Sequence, residues 1–119
     1  MSYSSLLKRN PFLIANVPTQ TEELCLTAVK LDGMSLKYIL NPSERVCLAA
    51  VESNPLSLEL ILNQSDAVCL AAVKKHPDSL YHIKNMSETL GSSIINIHPY
   101  FRNIIDSNLR KKNIFISSY

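Results

Sequence analysis

The sequence predicts an all-α protein, a short α-solenoid of stacked helix–turn–helix repeats about 22 residues long. Three observations carry that expectation. The string VCLAAV stands at Val46–Val51 and again at Val68–Val73, with a near copy, LCLTAV, at Leu24–Val29, each 22 residues after the last. A Ser or Thr followed by an acid opens every copy, at Thr21-Glu22, Ser43-Glu44, Ser65-Asp66 and Ser87-Glu88. A corner recurs at the same offset within each copy, as Asp32-Gly33, Asn54-Pro55, His76-Pro77 and His98-Pro99.

With Thr21 as position 1, each element follows from its residues. The Ser or Thr is a preferred N-cap, whose oxygen accepts an otherwise unpaired amide, and the acid at position 2 meets the positive end of the helix dipole. Positions 4, 5, 8 and 9 (Leu24, Cys25, Ala28 and Val29, and their equivalents) are spaced i, i+4 and make one apolar helical face. Leu26, Leu48 and Leu70 at position 6 add a second apolar side, which sandwiches this first helix between neighbours. At the corner, Pro suits the first turn of a new helix, where its missing amide is not needed, and it pushes the preceding residue out of the α region. Asp32 and Asn54 are good caps there, while His76 and His98 are poorer ones. A shorter second helix follows, with Leu36 and Ile39, Leu58 and Ile61, Leu80 and Ile83 at positions 16 and 19. Asn41, Asn63 and Asn85 at position 21 suit the left-handed conformation that ends many helices.

The frame runs over the whole chain. Asn10-Pro11 stands one period before Asp32-Gly33, so residues 1–20 read as a truncated repeat; full repeats follow at 21–42, 43–64, 65–86 and 87–108. The last is decayed, with Gly91 and Arg102 in place of Cys and Leu, and 109–119 form a terminal cap or tail. Atypical end repeats are expected where outer faces meet water. A single helix pair this short cannot bury both its faces, so the repeats must stack into one domain, 1–119. Helices packing ~10 Å apart would make a rod ~50 Å long.

The composition agrees with a folded, compact chain: 46% hydrophobic and 18% charged residues, with no Trp. Only two glycines, Gly33 and Gly91, argue against phosphate-cradling loops. The formal net charge of +2 does not by itself imply a nucleic-acid partner. It is unevenly spread, however: residues 1–66 hold five basic and seven acidic groups, and 67–119 hold seven and three. No apolar run approaches the ~20 residues of a membrane span. The N-terminus lacks the order of a signal peptide, so a cytoplasmic protein is expected.

The run T-E-E-L-C-L-T-A-V-K-x-x-G-x-S-L-K-Y-I at Thr21–Ile39, echoed twice, resembles a family of short α-helical repeats of unknown function found in bacterial, phage and large-virus proteins. The family pattern is T-x-E-x-C-L-x-A-V-K-x-N-G-x-A-L-x-Y-V, and the likeness covers about residues 19–86. It implies a helical repeat and no catalytic residues, because its positions are core and cap positions. Here Glu52 replaces the usual Lys, and Leu60 and His82 the usual Tyr.

Candidate chemistry is sparse. Cys25, Cys47 and Cys69 share one register in successive repeats, which places them ~10 Å apart, too far for a disulfide or a shared zinc ion; they read as small apolar core residues. No metal site is expected at His76, His82 or His98, which lack Cys or acidic partners at zinc spacing. No nucleophile–base pair stands out, so neither catalytic residues nor a cofactor are expected.

The repeats differ instead at positions 10, 11, 14, 17 and 18, where the core around them stays fixed. If the second helices line one side, Lys37, Tyr38, Glu59, Tyr81, His82 and Tyr100 form a ladder of charges and aromatic anchors for another protein. The first expectation is therefore a non-enzymatic protein–protein interaction module, a monomer or weak homodimer; the family resemblance narrows it to a phage-type inhibitor of a host defence complex. The alternative is a nucleic-acid binder using Lys74, Lys75, Arg102, Arg110, Lys111 and Lys112, with Tyr100, Phe101 and Phe115 interleaved for stacking.

Overall fold

The protein is known from a computed structural model that describes residues 2–111, and over these it is all-helical. Lys112 and Phe115 lie outside the described residues. Six α-helices alternate with 3₁₀ helices, named η here, in the order α1 (Tyr3–Arg9), η1 (Pro11–Asn16), α2 (Glu22–Leu31), η2 (Gly33–Tyr38), α3 (Glu44–Ser53), η3 (Pro55–Leu60), α4 (Asp66–Lys75), η4 (Pro77–His82), α5 (Glu88–Ile97), η5 (Pro99–Phe101) and α6 (Arg102–Arg110).

Each α-helix starts where its cap dictates. The hydroxyls of Thr21, Ser43, Ser65 and Ser87 accept from the amides of Leu24, Val46, Val68 and Leu90, satisfying one of the free donors of each first turn. Each of these helices then runs ten residues; α2, α3 and α4 stop at a corner residue in extended backbone, and α5 stops at His98, with φ −131° and ψ 81°. The face at positions 5, 8 and 9 is the core: Cys25, Ala28, Val29, Cys47, Ala50, Val51, Cys69, Ala72 and Val73 are all buried. The second apolar side is less covered, since Leu26 is buried but Leu48 and Leu70 are half-buried.

The second helix of each repeat is 3₁₀ in form, six residues long in η1 to η4. Its geometry suits the sequence. Positions 16 and 19 are three apart, and at three residues per turn both sit over the same side, so Leu36 and Ile39 are buried together, as are Leu58 and Ile61. Asn10, Asp32 and Asn54 cap η1, η2 and η3 by accepting from the amide two residues on, whereas His76 and His98 make no side-chain cap bond. Beneath them, Ser35 and Ser57 are fully buried, and their hydroxyls donate to the carbonyls of Asp32 and Ala50. The ends differ from expectation. η2, η3 and η4 terminate at Ile39, Ile61 and Ile83, with φ of −97°, −97° and −76° and ψ near 120°, so an extended residue and not Asn41, Asn63 or Asn85 closes each helix.

Gly33 stands where other repeats carry Pro, and the close approach of the next repeat explains it. A Cβ there would lie 2.3 Å from the Ala50 carbonyl oxygen and 2.7 Å from the Ser57 hydroxyl. Its amide also donates to the Ser53 hydroxyl at 3.1 Å, a bond proline could not make.

Among the described residues each α-helix touches, of the other α-helices, only the one before and the one after it. η1 to η4 likewise touch only adjacent η helices, besides the α-helix of their own repeat and, for η1 to η3, that of the next. The chain is correspondingly long, 58 × 21 × 17 Å, with a radius of gyration of 16.4 Å. A globular chain of this length would have about 13–14 Å. The last unit departs from the pattern. Arg102 takes a core position, burial moves to Phe101, Ile105 and Leu109, and this i, i+4 spacing gives an α-helix, α6, after only one turn of η5. α5 packs on α4, yet neither α5 nor η5 touches η4.

Candidate functional site

The 3₁₀ helices carry the variable residues, because positions 15 and 16 face the core in η2 to η4 and position 17 turns outward. Lys37, Glu59 and Tyr81 at position 17 are exposed, Tyr81 to 63%. At position 18 Tyr38 is exposed, while Leu60 and His82 are half-buried. Position 14 adds Leu56, exposed to 51%.

Neighbouring repeats meet in a fixed register on this face. Phe12 at position 14 packs edge-to-face on Tyr38 at position 18 of the next repeat, with ring centroids 5.8 Å apart. The Lys37 ammonium lies 5.2 Å from the centre of the Tyr38 ring, within cation–π range. Two repeats along, Leu56 and His82 line one cleft of about 210 Å³ together with Asn54, Pro55, His76 and Asp78. His82 Nδ1 stands 2.7 Å from Glu59 Oε1, so positions 17 and 18 are paired across the boundary. Lys37, Tyr38, Glu59, Tyr81 and His82 thus share one rank of adjacent 3₁₀ helices. Tyr100 is exposed to 67%, but it sits on η5 against His98 and Phe101, apart from that rank.

The basic set is divided. Lys74 and Lys75 are exposed in the last turn of α4, where cations meet the negative end of the helix dipole. Arg110 and Lys111 are exposed at the end of α6, which does not touch α4. Arg102 pairs with Asp106 at 3.7 Å. Lys84, another cation of this half, donates to the carbonyls of Glu59 and Ile61 at 3.1 and 2.6 Å and caps the end of η3.

The three cysteines are free and buried. Burial raises all three thiol pKa values, and the nearby acids Glu22, Glu44 and Asp66 add to the effect; Cys69 is pushed up to about 11. Among the described residues no group of three or more His, Cys, Asp or Glu side chains is placed to hold a metal ion. No described helix is long and apolar enough to cross a membrane.

Two features were not anticipated by the repeat alignment. Leu40 and Leu62, both at position 20, are each 84% exposed in the connections between η and α helices. Gln20 and Gln64, at position 22, clasp successive connections. The Gln20 amide donates to the carbonyls of Ile14 and Tyr38, at 3.1 and 2.9 Å, and its oxygen accepts from the Leu40 amide at 3.0 Å. Gln64 repeats this on Leu58, His82 and Lys84 at 2.9, 3.0 and 2.8 Å. The first clasp borders a cleft of about 540 Å³ lined by Pro18, Lys37, Tyr38 and Leu40.

No family model, curated protein or solved structure matches the chain.

Proposed function

We propose that the chain is a non-enzymatic protein–protein interaction module, an α-solenoid whose rank of 3₁₀ helices presents a variable face to another protein. The observation that carries this reading is the contrast within each repeat. Caps and core keep the same residue types, while positions 14, 17 and 18, exposed or half-buried, differ from repeat to repeat. A constant frame with a changing surface is how repeat proteins build extended binding faces. The exposed side chains include Tyr38, Tyr81 and Leu56, apolar or aromatic groups of the kind that anchor interfaces, with Lys37 and Glu59 beside them to set specificity.

The test is capture by the tagged protein from a bacterial lysate, with and without nuclease, using wild type beside Tyr81→Ala and Lys37→Glu. A protein complex that survives nuclease and weakens in both variants supports the reading. Capture that disappears with nuclease would instead transfer function to the basic residues Lys74, Lys75, Arg110, Lys111 and Lys112.

A further inference from the structure

The glutamine clasps suggest a more specific site. At the boundary held by Gln20 three backbone groups are satisfied by one side chain: the Ile14 and Tyr38 carbonyls and the Leu40 amide. At the boundary held by Gln64 the equivalent groups are the Leu58 and His82 carbonyls and the Lys84 amide. Between these two boundaries lies a third, where position 22 is Pro42. Its equivalent groups are the Leu36 and Leu60 carbonyls and the Leu62 amide.

The local frame there is the same. Leu36 O accepts from Ile39 N, just as Ile14 O accepts from Val17 N and Leu58 O from Ile61 N. Proline supplies no amide group to complete the clasp, and among the described residues no other side chain bonds to these three groups. The boundary at Met86 is not a second case, because Met86 is buried and the segment that follows it across the boundary is α6.

We infer that the Pro42 boundary receives a primary carboxamide, the side chain of a Gln or Asn in an extended segment of the partner protein. This rests on the interaction-module reading and names the chemistry of its partner. The frame asks for two donors and one acceptor in a single planar group. A carboxylate has no donor, and an ammonium or guanidinium has no acceptor; a carboxamide carries both. Leu62, whose amide is one of the three groups, and Leu40, two residues before Pro42, are each 84% exposed and offer apolar contact to residues next to that Gln or Asn. One side chain that reproduces all three bonds satisfies these groups together.

The experiment uses a displayed library of random peptides, selected on the wild-type protein and compared on Pro42→Gln and Pro42→Ala. Pro42→Gln fills the site from within the chain, with the residue that two other boundaries carry; Pro42→Ala leaves it open. Selected peptides should share a Gln or Asn with apolar neighbours. They should bind Pro42→Ala within about threefold of wild type and lose at least tenfold on Pro42→Gln. In the same Pro42→Gln protein, hydrogen exchange of the Leu62 amide should slow by at least tenfold, which shows the clasp closed and the fold intact. Binders without a carboxamide, binders that ignore Pro42→Gln, or a Leu62 amide that exchanges as in wild type would each overturn the proposal. Binders that ignore Pro42→Gln but weaken in Tyr81→Ala would remove this site and leave the interaction module standing. No binder at all counts against the site, and the capture experiment then decides the module.

Discussion

Cys25, Cys47 and Cys69 show how a single register position is read and what it predicts. Their i, i+4 relation to Val29, Val51 and Val73 marks them as core, and they are buried. Burial and a neighbouring acid raise their pKa values, Cys69 from 9.0 to about 11. The folded chain therefore holds thiol protons that the unfolded chain releases between about pH 9 and 11. Stability is present in full below that window and falls as pH rises through it. Urea unfolding at pH 8 and pH 10.5 should give the lower midpoint at pH 10.5, and replacement of Cys69 by Ala should shrink the difference. Gly33 was legible as a corner but not as a contact, because the atoms that exclude a Cβ belong to Ala50 and Ser57 of the next repeat. Gly33→Ala should cost about 2–3 kcal/mol by denaturant unfolding, since backbone on one side cannot yield.

At the scale of elements, α-helix starts were written in the chain and 3₁₀ form was half-written. A Ser or Thr N-cap bonds an amide three residues on wherever it occurs, so the repeat frame fixed α2 to α5 without reference to neighbours. The pair at positions 16 and 19 is three apart, which fits either helix type over so short a run. η1 to η4 each end after six residues at an extended residue, and that ending depends on packing. His76 makes no cap bond where Asp32 and Asn54 do. His76→Asn should therefore stabilise the protein by roughly 0.5–1 kcal/mol in thermal or urea unfolding. The clasps escaped the alignment because position 22 reads Gln, Pro, Gln, Met and shows no consensus. Gln64→Ala removes three hydrogen bonds between connections and should cost about 1–3 kcal/mol.

At the scale of the molecule, contacts among the described residues run only between neighbouring elements, so on the proposed solenoid reading stability is a sum of repeat terms and boundary terms. The boundary before α5 is the weakest by construction, since α4 alone meets α5 and η4 touches neither α5 nor η5. Native-state hydrogen exchange should find core amides of α5 and α6 exchanging about ten times faster or more than those of α3. The candidate face was legible as a list of variable positions, and five of its six residues, all but Tyr100, lie on adjacent 3₁₀ helices. The pairing of Glu59 with His82, the withdrawal of Lys84 into a cap and the exposed Leu40 and Leu62 needed three dimensions, because each involves residues about 20 apart in sequence or a connection with no pattern. The claim that joins these scales is that core and face are separable. The most direct measurement replaces Lys37, Tyr38, Glu59, Tyr81 and His82 together with Ser, then measures unfolding and partner capture on the same preparation. The expected result is a helical protein that still unfolds cooperatively, with a stability change of no more than about 2 kcal/mol, and loss of the captured partner. A folded variant that captures the same partner as well as wild type would contradict it.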